Sequence, residues 1–308
     1  MIGKDKPAPR PGTDPAMAFR VTLAALLLAL AMVPSPTGAA SHGGSGIPPD
    51  AHVDTDGTGF AILRFARTLE ANRPIAQLRV RNPWGDVRIR RARTNAVSVN
   101  FVVQRLGTDA PLPDIDARLR GVRADIRIDY PSDPERVSAG GARPGRVDLV
   151  VFAPASAAID AATDDGELRI AHTTQPVRAR SSSGRIVASG AATLDIETGS
   201  GHILARQTQA TGGRTRVRSL DGAVTVLFPA DDVRLRARAG SGIEAGPGWT
   251  PAMALRLEPG ATRLHRRWGE GRHRIDVQSR DGAVYLTPFV ALDDDAAAST
   301  PTGKPAPQ

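Results

Sequence analysis

The chain has 308 residues and no cysteine, 4% aromatic residues, 31 glycines and 25 prolines, and a formal net charge of +8 at neutral pH. So few aromatics and so many turn formers exclude a large helical core, and the absence of cysteine excludes both disulfide staples and a lipobox for lipid anchoring. The basic excess is almost all arginine, the lysines being Lys4, Lys6 and Lys304, and it lacks the interleaved aromatics of a nucleic-acid binder, so no nucleic-acid partner is expected.

The first 40 residues have the pattern of a secretory signal peptide. Arg20 supplies the positive charge, Val21 to Val33 ("VTLAALLLALAMV") form a 13-residue apolar run, and Gly38 and Ala40 are the small residues before a cleavage point. The run is too short to span a bilayer, and the Pro-rich stretch before Met17 makes Met17 a plausible start. Removing 1–40 leaves a net charge of +6, with no transmembrane anchor. The expected location is therefore periplasmic, extracellular or on the cell surface, and no cofactor is expected.

Residues 41–57 have the Gly/Pro/Asp composition of a flexible linker. Between 58 and 155, "FAILRFARTL", "NAVSVNFVVQ", "VRADIRIDY" and "RVDLVVFAP" alternate like strands, giving an irregular N-terminal β cap with irregular coils. "LPDIDARLR" fits either a short helix or a strand.

From 156 to 290 the chain repeats. "IDAATDDGELRI", "VRARSSSGRIVA", "LDIETGSGHILA", "RVRSLDGAVTV" and "IDVQSRDGAVYL" share the pattern apolar-x-apolar-x-(Ser/Thr)-x-x-Gly-x-apolar-x-apolar, and "LRVRNPWGDVRI" upstream fits it with Asn82. "LRARAGSGIEA" loses one residue after its glycine, and "LRLEPGATRL" is a weaker copy. The corner glycines are Gly85, Gly166, Gly184, Gly201, Gly222, Gly242, Gly260 and Gly282, and from Gly166 onward their spacings are 18, 17, 21, 20, 18 and 22. A hydroxyl or amide three residues before glycine suits a tight turn, and the left-handed conformation open to glycine is the expected reason for it. Passing the corner switches which parity faces inward. The near-constant period favours a β-solenoid of stacked ~20-residue strand-turn-strand coils over an antiparallel meander or sandwich. Residues 291–308 have the composition of a disordered tail.

The motifs "SSSGRIVA", "TGSGHILA", "SLDGAVTV" and "SRDGAVYL", after "RVRNPWGDVRI" and a secretion signal, resemble the bacterial putative-adhesin family of β-strand-repeat envelope proteins over roughly residues 75–287. The resemblance implies an all-β repeat fold and an envelope location, and no catalytic residues to carry over. The sequence departs from the pattern at Ile243 and in the basic stretch 263–274.

No catalytic elbow, metalloprotease helix motif or phosphate loop is present, and His42, His52, His172, His202, His265 and His273 lack metal-ligand spacing. The adjacent pairs Asp164–Asp165 and Asp231–Asp232 lie at turns, where neighbouring side chains diverge. One cluster stands out, "RLHRRWGEGRHR", in which Arg263, Arg266, Arg267, Arg272 and Arg274 surround Trp268. It is either a solvated hairpin or a site for an envelope polyanion such as lipopolysaccharide or an acidic glycan, with arginine forks for the anion and the indole for a sugar ring. The sequence thus points to a non-enzymatic envelope protein, adhesin-like or assembly-forming, that binds a polyanion or another envelope protein through its repeat faces. The alternative is a β-solenoid hydrolase or lyase acting on polysaccharides.

Overall fold

The computed structural model describes residues 51–55, 60–106, 112–130, 145–190, 192–246, 257 and 259–289. The signal peptide expected over 1–40 and the tail expected over 291–308 lie outside the described residues. β1 (His52–Thr55) and β2 (Phe60–Leu69) come first, then β3 (Gln77–Trp84), β4 (Val87–Arg91), β5 (Val97–Leu106), β6 (Asp114–Arg120), β7 (Arg123–Asp129) and β8 (Arg146–Ala153). The repeats supply β9 (Ala158–Asp165), β10 (Leu168–Thr173), β11 (Val177–Ser181), β12 (Ile186–Gly190), β13 (Leu194–Thr198), β14 (Ile203–Gln207), β15 (Arg214–Ser219), β16 (Val224–Pro229), β17 (Val233–Ala239) and β18 (Ile243–Ala245). β19 (Arg263–Arg267), β20 (His273–Ser279) and β21 (Val284–Phe289) follow. "LPDIDARLR" is a strand, β6, and β1 falls inside the stretch expected to be a linker.

The 21 strands form two open sheets with mostly parallel pairing. Sheet I runs β19-β17-β20-β15-β13-β11-β9-β3-β7-β6, and sheet II runs β1-β2-β5-β8-β4-β10-β12-β14-β16-β21-β18. Each coil sends one strand to sheet I and the next to sheet II, as a β-solenoid requires. Antiparallel strands flank the stack: β1, β2 and β5 on sheet II, and β6 and β19 at the two edges of sheet I. The core lies between the sheets. Leu194, Ile196 and Thr198 point inward from β13, and after the corner Gly201, Ile203 and Ala205 do so from the opposite parity.

The corners have a cause that local sequence does not show. Among the corner glycines Gly85, Gly166 and Gly242 have φ of 130°, 137° and 114°, but Gly184, Gly201, Gly222 and Gly282 are not left-handed. There the neighbouring coil forbids a side chain. A Cβ on Gly184 would overlap the carbonyl oxygen of Gly166, one on Gly201 that of Gly184, and one on Gly222 that of Gly201. The polar residue three positions earlier ties the stack together. Thr198 Oγ1 accepts from Gly201 N at 3.3 Å and donates to Gly184 O at 3.4 Å, and Ser219 and Ser279 repeat the arrangement. Asn82 donates from Nδ2 to Val147 O at 2.8 Å, the oxygen that a Cβ on Gly85 would strike. Gly260 is no corner: it sits in a turn ahead of β19, and nothing crowds its Cβ position.

The coils do not stack in chain order. The coil β20–β21, last in sequence, lies between β15–β16 and β17–β18. At the other end, β3–β4 lies between β7–β8 and β9–β10. Two features explain the C-terminal exchange. Ser279 can donate to Gly222 O and continue the corner ladder, whereas Ala239, the matching residue of β17, has no hydroxyl. In the same register, β17 laid directly on β15 would oppose Arg214 to Arg234, Arg216 to Arg236 and Arg218 to Arg238, and like charges directly opposite destabilise a pair. β20 places Asp276 and Gln278 between two of these pairs.

Inside this junction His273 is fully buried. Its Nε2 lies 3.2 Å from Thr215 Oγ1, which donates to Gln207 Oε1 at 2.7 Å, while Nδ1 is buried without a partner. Burial lowers the pKa of the ring below its ordinary value. Below about pH 6.5 the unfolded chain therefore binds a proton that the folded chain refuses, so stability is full above that pH and falls as pH drops toward the folded value. Urea midpoints of the parent should fall more between pH 7.5 and pH 5 than those of His273→Gln; equal falls would assign the acid sensitivity to other groups.

Candidate functional site

The outer face of sheet I carries charge in a register that only the folded stack reveals. Across its ten strands, the residues Arg118, Asp125, Arg79, Asp160, Arg178, Asp195, Arg216, Asp276, Arg236 and His265 are successive Cα partners from β6 to β19. The sign alternates at every step from Arg118 to Arg236, and the row ends on His265. Arg178 and Asp195 approach to 3.7 Å, and the neighbouring Arg81 grips both oxygens of Asp160 at 2.9 and 3.1 Å. Exposed pairs of this kind each contribute roughly 0–1 kcal/mol. Their stronger effect is on register, because a one-residue slip turns the charged positions toward the core.

The balance fails on the last four strands. On one side of the alternating row, Arg214, Arg274, Arg234 and Arg267 are consecutive partners on β15, β20, β17 and β19. On the other side stand Arg218, Gln278, Arg238 and Arg263. Of twelve outward positions on these strands, nine are arginine and one, Asp276, is acidic. Asp276 is engaged by Arg214 at 2.6 Å. Arg267 donates to Gly269 O at 3.2 Å. The side chains of Arg234, Arg238, Arg263 and Arg274 have no hydrogen-bond or ion-pair partner among the described residues. Such an excess of one sign on a sheet face attracts anions and raises their local concentration.

The structure divides the cluster expected from the sequence. Arg263, Arg267 and Arg274 stand on this face. Arg266 is the partner of Leu235 and points to the opposite side of the edge strand. Arg272 bonds Asp232 with both its side chain and its backbone N–H. Burial works to raise the Asp232 pKa, and these hydrogen bonds outweigh it and hold the carboxylate below its usual range. Trp268 is half-buried and packs on Phe228, ring centroids 5.7 Å apart, so its indole belongs to the core and offers no platform on the arginine face. The stretch 263–274 is not a solvated hairpin: it forms the edge strand β19, a turn, and the start of the inserted β20.

Sequence reasoning missed Arg214, Arg216, Arg218, Arg234, Arg236 and Arg238. Their signal was present in "RTRVRS" and "VRLRARA", where arginine occupies every outward position. No family model matches the chain, and no curated protein matches it. Among solved structures, the crystal structure of a putative cell adhesion protein from Clostridium sporogenes ATCC 15579 is 13% identical, covers 73% of this chain and 99% of that one, and superposes with a TM-score of 0.43.

Proposed function

We propose that the chain is a non-enzymatic exported envelope protein with an adhesin-like or assembly role, and that it binds acidic envelope polymers through the outer face of sheet I at β15, β20, β17 and β19. The observation behind this reading is the run of four arginines on four adjacent strands, beside a row where every other arginine is offset by an acid. Arginine forks bind carboxylate and phosphate bidentately. A rigid ladder holds them without the entropy cost of ordering a loop.

The test is direct binding of the purified chain to long polygalacturonate and to lipopolysaccharide at two salt concentrations. The parent should bind at low salt and weaken as salt rises. The double variant Arg234→Gln/Arg274→Gln should bind more weakly, with the salt slope reduced by about one for each arginine–anion pair it removes. A parent that binds neither polymer at low salt would remove the proposal.

A further inference from the structure

We infer, resting on the reading just given, that the ligand of this face is a linear acidic polysaccharide lying across the strands, along the row Arg214–Arg274–Arg234–Arg267. The direction follows from continuity. This row has an arginine on each of four neighbouring strands, whereas the row through Arg218 and Arg238 is interrupted by Gln278 and the row between them by Asp276. A chain laid along β20 would meet Asp276 midway, and one laid along β15 or β17 would meet three arginines, one fewer than this row offers.

The spacing fits a sugar chain. Arginines on adjacent strands repeat at the strand separation, ~4.8 Å, and the four span about 14 Å. A pyranose ring in a linear chain advances by a similar step, so each sugar passes over about one strand. Phosphates in one strand of a DNA duplex advance ~3.4 Å along its axis and wind away from a sheet. Single-stranded nucleic acid is held largely by stacking on aromatic side chains. None of the twelve outward positions on these strands is phenylalanine, tyrosine or tryptophan, the one ring among them being the imidazole of His265, and Trp268 is committed to Phe228.

Arg274 is the residue on which the inference turns. It belongs to the inserted strand β20 and bridges Arg214 and Arg234. The row reaches four arginines because the last coil has entered the stack.

The experiment compares galacturonic acid, oligogalacturonates of increasing length, long polygalacturonate, inorganic polyphosphate and a single-stranded oligothymidylate on the parent chain and on two exposed single variants, Arg274→Gln and Arg238→Gln. Affinity should rise by roughly an order of magnitude or more with oligogalacturonate length, up to about four sugars, and then level off. Arg274→Gln should abolish most of that rise, and Arg238→Gln should leave it. If long polygalacturonate binds but the monomer binds equally well, or if Arg238→Gln removes the length dependence and Arg274→Gln does not, the axial arrangement is wrong while face binding stands. Tighter binding of polyphosphate or oligothymidylate than of the oligogalacturonates would overturn the glycan class. No binding of long polygalacturonate at low salt would remove the proposed face together with this inference.

Discussion

Gly201→Ala is expected to destabilise the protein by about 3 kcal/mol, the upper end of what overpacking costs. The new methyl would occupy the space of the Gly184 carbonyl oxygen, with Ser183 O also within 3 Å. Neither is a flexible side-chain end. To make room, two coils must part at a corner where Thr198 already links them by hydrogen bonds to Gly201 N and Gly184 O. Gly212→Ala makes the informative comparison. Gly212 has φ of 78° but open space around its Cβ position, so the substitution should cost only about 1 kcal/mol of backbone strain. Urea unfolding of both variants separates the two causes. If Gly212→Ala proves the more damaging, local backbone conformation governs the corners and the overlap between coils does not.

A chain ending at Arg272 should lose cooperative unfolding altogether. It keeps every strand through β19 but lacks β20 and β21, which are interior members of their sheets. Their removal opens the middle of the stack. β15 and β17 would face one another across the gap with arginine opposite arginine at three positions, and β17–β18 would lose the coil it rests on. A chain ending at residue 290 retains every described strand and should unfold with the midpoint of the parent. Circular dichroism and urea titration of the two lengths give the answer. A cooperative transition in the shorter chain would mean that β17 closes onto β15, and the charge argument for the exchange would fail.

The repeat, its strand-corner-strand unit and the switch of inward parity at the glycine were legible in the sequence, because they follow from alternation along a single strand. The reason for glycine at 184, 201, 222 and 282 was not, since the atom that excludes a Cβ belongs to another coil. The order of stacking was hidden for the same reason. "LRARAGSGIEA" visibly loses one residue after its glycine, but only the structure shows that it is a terminal coil laid outside a later one, with Ala239 opposite the hydroxyl of Ser279. For the candidate face, the clustered stretch 263–274 drew attention by local density. The arginines of "RTRVRS" and "VRLRARA" lie some 20 residues apart in sequence and converge only through strand pairing. Trp268 was misplaced because a tryptophan among arginines looks solvent-facing until Phe228 is brought beneath it.

The alternating row on sheet I also constrains how such a chain can change by gene duplication or loss. Deleting the coil that carries Arg178 would bring Asp160 against Asp195, and duplicating it would set two copies of Arg178 side by side. Removing or copying two adjacent coils together restores the sign at the junction. The row has a parity: an even change in the number of coils keeps its alternation, and an odd one sets like charges side by side.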